Sequence, residues 1–196
     1  MGVRKTQIQL PGYYFITFTN YNWLPLFALS GGYDLVYQWF DVLRRQGHEL
    51  IAYVIMPNHI HLMLAYSGYG PSINTLVGNG KRLMAYEMIR RLQTTQQDAI
   101  LRQLAAAVPA GARTRGKRYQ VFRPSFHLLH CYSQQFIVQK LQYIHKNPCA
   151  KKWSLAAHPA QYRYSSAAFY ENGQAADYPV VSWLSLEGRG YFGSKE

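Results

Sequence analysis

The chain has 196 residues, 48% of them hydrophobic, and 21 Lys and Arg against nine Asp and Glu leave a formal charge of +12. The length suits one domain with a full core, and no apolar run approaches the roughly 20 residues that a bilayer-spanning helix needs. Two cysteines, Cys131 and Cys149, are too few for a disulfide scaffold and fit a reducing, cytoplasmic setting; no apolar stretch follows Arg4 and Lys5, so no secretory leader is expected.

In chain order, Pro11-Gly12 marks a turn and Tyr13 to Thr19, aromatic and β-branched, reads as a first strand. Val36, Phe40 and Leu43 repeat at helical spacing within Tyr33 to Arg45, and Gly47 ends that helix. Glu49 to Ile55 and Ile60 to Tyr66 are two strands joined by a link so short that they must pair antiparallel. Ser72 is placed to cap a helix over Ile73 to about Leu92, which carries Lys81, Arg82, Arg90 and Arg91. Gly78 and Gly80 weaken it, and would let its backbone lie close to a phosphate. A Gln/Ala-rich helix over Gln96 to Val108 follows, then a flexible basic loop, Pro109 to Arg118, with Arg113, Arg115, Lys117 and Arg118. Tyr119 to Phe122 and Phe126 to His130 read as a last strand region, and Ser133 caps a helix running to about His145, before Asn147-Pro148. The order strand, helix, strand, strand, helix, strand, helix predicts an α+β fold: a ferredoxin-like sandwich, an antiparallel sheet with helices mainly on one face and the other face open. A single domain is expected over 1–196, with its core over about 13–170 and an irregular extension over 171–196.

Two patterns carry chemistry. In Met56-Pro-Asn-His-Ile-His-Leu-Met-Leu64 the strand alternation puts His59 and His61 on one face and Ile60 on the other. Such a pair either shares a metal ion or forms a hydrogen-bonded couple on a half-exposed strand. In the last helix Phe136, Ile137, Lys140, Leu141 and Ile144 form the stripe expected on the sheet, while Gln139, Tyr143 and Asn147, spaced by four, line an adjoining face. Tyr143 is then either an edge packing residue or a phenol presented to a site. The positive charge, 17 tyrosines and four tryptophans favour single-stranded or hairpin nucleic acid, since cations track phosphates and aromatic faces stack unpaired bases. Lys81, Arg82, Arg113, Arg115, Lys117 and Arg118 are the expected DNA contacts.

Ala52 to Leu64, taken with Leu141-Gln-Tyr-Ile-His-Lys-Asn-Pro148, resembles the HUH-type single-tyrosine transposases, and more narrowly their REP-associated branch; Tyr14 to Thr19 and Tyr162 to Ala167 are also similar to that family. The resemblance spans about Tyr13 to Tyr170. It implies that His59 and His61 bind a divalent metal, Mg²⁺ or Mn²⁺, that Asn147 completes the site with His145 as its competitor, and that Tyr143 is the nucleophile. The implied activity is metal-dependent cleavage and strand transfer of single-stranded DNA at hairpins through a 5′-phosphotyrosine, in a bacterial, nucleoid-associated protein. Relatives occur as monomers and as dimers exchanging catalytic helices, so a homodimer is among the implied states. Gly78, Gly80, the Ala-rich stretch around Leu101 to Ala112, and Ser125 to Cys131 depart from the family pattern. Two other classes fit the residues: a zinc hydrolase that adds His127, His130 or Cys131 to the histidine pair, and a non-catalytic hairpin-binding protein.

Overall fold

The computed structural model describes residues 10–186; Arg4, Lys5 and the end of the 171–196 extension lie outside them. The strands are β1 (Gly12–Thr19), β2 (Glu49–Ile55), β3 (His59–Tyr66) and β4 (His127–His130), ordered β2-β3-β1-β4 with every neighbouring pair antiparallel. The helices among the described residues are α1 (Leu26–Leu29), α2 (Tyr33–Arg45), α3 (Ile73–Thr94), α4 (Asp98–Ala106), α5 (Ala110–Arg113), α6 (Gln134–Lys146) and α7 (Ala167–Asn172). This is the expected α+β sandwich with a ferredoxin-like strand order. Among the described residues no helix is long and apolar enough to cross a membrane.

Strand alternation divides the core in two. Tyr14, Ile16, Phe18, Ile60, Leu62 and Leu64 face the side covered by α2, α3 and α4, through Val36, Phe40, Met84, Met88 and Leu104. Tyr13, Phe15, Met63 and Ala65 face the other side and pack on Ile137, Leu141 and Ile144 of α6, with Trp183 and Leu186. The face expected to lie open is therefore roofed by α6, and His59 and His61 project into this second layer. Between Leu50 and Ala52 the β2–β3 register slips by one residue. This bulge puts both Ile51 and Ala52 on the α6 side.

The free edge of β2 is covered by the chain's last third. The Ile55 N–H donates to Tyr164 O (2.8 Å), the Ser166 N–H to Tyr53 O (3.0 Å) and the Val181 N–H to Leu50 O (2.9 Å). These bonds satisfy backbone groups that an exposed edge would offer to another chain.

The structure departs locally from the predicted elements. Tyr119 to Phe122 is no strand; it makes only an isolated bridge, Asn20 to Phe122, because Pro124 lacks the N–H that would continue a ladder into β4. The basic loop contains one helical turn, α5, whose Arg113 guanidinium donates to the carbonyls of Val108, Ala105 and Ala106 and so caps α4. Gly80 sits against Trp39 of α2, where a Cβ would lie 2.4 Å from Nε1, so packing rather than a phosphate accounts for it. Asn147 keeps helical geometry (φ −56°, ψ −45°) despite the following proline, which opens a 3₁₀ turn where its missing N–H costs nothing.

Candidate active site

Between β3, β1 and α6 lies a cleft of about 360 Å³. β3 pairs with β1 so that His61 faces Thr17 and His59 faces Thr19, and the two imidazoles stand 4.7 Å apart, centroid to centroid. Both are nearly inaccessible, 2% and 5% exposed. Their inner nitrogens are anchored. His59 Nδ1 meets Asn58 Oδ1 at 2.6 Å, and the Asn58 amide is oriented by donating from Nδ2 to Trp23 O at 3.1 Å. His61 Nδ1 meets Thr17 Oγ1 at 2.6 Å, while Asn147 Nδ2 donates to His61 Nε2 at 3.2 Å. These partners assign the proton of each ring to Nδ1 and leave an Nε2 lone pair.

Burial lowers the His59 pKa to about 4; interaction with Asn147 acts in the opposite sense and the Lys152 charge adds to the fall. Burial also holds His61 well below the ordinary histidine value, assisted by the charges of His59, Lys152, His127 and Lys140. Both rings are neutral at pH 7, the form that ligates metal. The Asn147 Oδ1 is buried and has no partner among the described residues. A half-turn of the amide exchanges oxygen and nitrogen. In that turned orientation the His61 Nε2 lone pair is released and the amide oxygen stands beside it, so two imidazole nitrogens and one amide oxygen form a donor set that fits a divalent cation, and the imidazoles favour Mn²⁺ over Mg²⁺.

The helix α6 presents Tyr143 one turn before Asn147. Its N-terminus is capped by Ser133 Oγ, which accepts from the Phe136 N–H at 3.2 Å. Tyr143 is half exposed, with its ring 5.0 Å from that of His61 and 5.8 Å from Phe15. One turn earlier, Lys140 sets its ammonium 5.2 Å from the Phe15 ring and 5.9 Å from that of Tyr143. Trp23, Trp153 and Lys152 stand on the far side of the histidines, His127 lies at the mouth, and among the described residues no carboxylate lines the cleft. The surroundings therefore favour an anionic ligand.

The remaining candidates fall elsewhere. Lys81 Nζ donates to the carbonyls of Arg123 (2.6 Å), Pro124 (3.2 Å) and Ser125 (3.4 Å), tying down the approach to β4. Lys117 donates to Gln120 Oε1 at 2.7 Å. Arg82, Arg115 and Arg118 are exposed, and none of the six expected DNA contacts lines the cleft. His145 turns away from Asn147: its Nε2 meets Ser166 Oγ at 2.9 Å and its ring packs 5.2 Å from Tyr170. His130 lies across from Tyr14 and stacks on it at 5.0 Å, on the face opposite the histidine pair. Burial pushes the Cys131 thiol up to about 11. Among the described residues no three His, Cys, Asp or Glu come together to hold a metal, so the zinc-hydrolase ligand set is not assembled.

Thr17, Asn58, Trp23, Trp153, Lys140 and Lys152 take part without having been singled out as site residues. Adjacency to His59 was a signal for Asn58; the role of Thr17 depends on strand pairing across 44 residues.

No family model matches the chain, and no curated protein matches it either. Among solved structures, it is similar to a REP associated tyrosine transposase bound to a REP hairpin, with a TM-score of 0.55, 15% identity, and coverage of 93% of this chain and 96% of that one. A candidate transposase from Deinococcus radiodurans R1 matches at a TM-score of 0.41 and 20% identity, over 69% of this chain and 90% of that one. The first likeness shows that this chain shares the fold of that transposase.

Proposed function

We propose that this protein cleaves and rejoins single-stranded DNA beside a hairpin, with Tyr143 as nucleophile and with His59, His61 and Asn147 holding Mg²⁺ or Mn²⁺. The observation that carries the reading is the half-exposed Tyr143 ring, 5.0 Å from that of a neutral His61, in a cleft that Lys140 and Lys152 line. The fold shared with a transposase that was solved on a REP hairpin supports hairpin DNA as the partner. In the step proposed, Tyr143 Oη bonds to phosphorus as the bond from phosphorus to the 3′ oxygen breaks. The phenol proton passes to water and the departing oxygen takes one up, giving a 5′-phosphotyrosine and a free 3′-hydroxyl. The tyrosyl diester keeps the energy of the broken bond, so a second strand is joined without a nucleotide cofactor. A bound divalent cation would withdraw charge from the phosphate oxygens and orient them for in-line attack. Thr17 and Asn58 hold the two imidazoles in the ligating tautomer, and Lys140 offers a cation to the incoming phosphate.

The test is labelled hairpin DNA with unpaired flanks, mixed with wild type and Tyr143→Phe in Mn²⁺. Wild type is expected to form an adduct that survives boiling in detergent and maps to Tyr143, and to need the metal. The mutant keeps its ring and its fold but forms no adduct. Cleavage in excess EDTA, cleavage by Tyr143→Phe, or an adduct on Tyr132 or Tyr119 refutes the mechanism.

A further inference from the structure

The cleft has a second wall that this chemistry leaves unused. Trp23 is 44% exposed although it sits against His59, with ring centroids 5.5 Å apart. Its backbone and that of Asn22 both adopt positive φ, 57° and 48°, a region L residues rarely occupy. The conformation is held by hydrogen bonds on both sides: the Tyr21 N–H donates to Val121 O (2.7 Å), and Trp23 O accepts from the Asn58 amide that orients His59. A large indole is thus kept at the surface by an unfavourable backbone, next to the histidine pair. Trp153 stands beside it, ring centroids 6.2 Å apart and planes tilted by 38°, and also packs on His59 at 5.3 Å. Two cations lie over these faces: Arg123 is 5.3 Å from the Trp23 centroid, and Lys152 is 5.9 Å from Trp23 and 4.8 Å from Trp153.

We infer that Trp23, with Trp153 beside it and Arg123 and Lys152 above, is a stacking subsite for an unpaired nucleobase next to the phosphodiester held at the histidines. The inference rests on the reading of the cleft as a phosphodiester site. The chemistry selects this ligand over others that aromatic surfaces attract. A cationic ligand is repelled by the two charges already over the rings, and a purely apolar one gains nothing from them. A nucleotide uses both parts: its flat base replaces a cation on the indole face, and the displaced guanidinium or ammonium moves to its phosphate. A base inside a duplex has both faces stacked, whereas an unpaired base can turn one to the indole, so the subsite selects single strands. The contact of Trp23 with His59 puts that base within a nucleotide of the reacting phosphate.

The experiment uses the full chain in EDTA, which separates binding from cleavage. The probes are a hairpin with an unpaired tail containing 2-aminopurine and the same hairpin trimmed blunt. Wild type is expected to quench the 2-aminopurine. Trp23→Ala should bind the tailed hairpin about tenfold or more weakly, the effect of losing one base stack. It should bind the blunt hairpin unchanged, with Trp23→Phe restoring most of the loss. Both variants keep a residue with a Cβ at the strained position, so backbone cost is matched, and thermal melting checks their folding. Should Trp23→Ala fail to fold, Arg123→Gln combined with Lys152→Gln is expected to weaken the tailed hairpin more than the blunt one. Equal affinity of Trp23→Ala and wild type for the tailed DNA overturns the subsite, as does an equal loss for both DNAs. A Trp23-dependent loss in a protein that forms no adduct on Tyr143 supports the subsite and removes the cleavage reading; an adduct without Trp23 dependence does the reverse.

Discussion

Replacing Gly80 by alanine sets helix propensity against packing, and the structure says which wins. A Cβ there would lie 2.4, 2.5 and 2.8 Å from Nε1, Cδ1 and Cε2 of Trp39. That ring is buried, packs edge-on against Phe18 and donates its N–H to Leu76 O at 3.2 Å, so moving it aside breaks these contacts. Alanine gains about 1 kcal/mol over glycine in a helix interior. Forcing a methyl into a packed site costs about 1–3 kcal/mol, and losing the indole hydrogen bond about 1 kcal/mol more. The net is a destabilisation of about 1–3 kcal/mol, a fall in Tm of several degrees for a domain of this size. Gly78, two residues earlier, has no described residue within 4 Å of the position a Cβ would take. Gly78→Ala should therefore stabilise by about 0.5–1 kcal/mol, with DNA affinity unchanged. Urea denaturation of the two variants, beside hairpin binding by each, checks both signs. A Gly80→Ala protein as stable as wild type would refute the packing argument, and a Gly78→Ala protein that folds normally but loses DNA affinity would restore the phosphate-approach reading.

Three further outcomes are expected. Thr17→Val strands the His61 Nδ1–H; it should cost about 1–3 kcal/mol of stability and weaken Mn²⁺ binding about 10- to 100-fold in a metal titration, and unchanged affinity would contradict the tautomer assignment. Burial lowers the His145 pKa to about 4 from an ordinary 6.5, so the unfolded chain binds the extra proton first; the stability this neutral ring contributes above pH 6.5 is lost as pH falls towards 4, by up to about 3 kcal/mol, and melting curves of His145→Asn should show a shallower acid slope over that window. Lys81→Met should lower stability by releasing three carbonyls while leaving the salt dependence of DNA binding nearly intact, whereas Arg82→Ala should leave stability intact and reduce the slope by about one counterion if Arg82 meets a phosphate.

What the sequence by itself determined is local. Alternation along β3 decides that His59 and His61 share a face, whatever that face meets, because successive strand side chains point to opposite sides. The spacing of four puts Asn147 one turn beyond Tyr143, and serines at 72 and 133 cap the two helices they precede because their hydroxyls reach the first free N–H groups. The tertiary structure alone decided what those faces meet. That α6 covers the supposedly open side of the sheet, bringing Tyr143 to His61, depends on where the apolar stripe of α6 buries most area, and both sides of this sheet offer apolar partners. The pairing of β1 with β3 sets Thr17 on His61, the strained Asn22–Trp23 turn aims the Asn58 amide at His59, and the long side chain of Lys81 reaches carbonyls 42 to 44 residues away instead of solvent. A residue's type states which bonds it can make; only the folded chain brings distant partners within the roughly 3 Å at which those bonds exist.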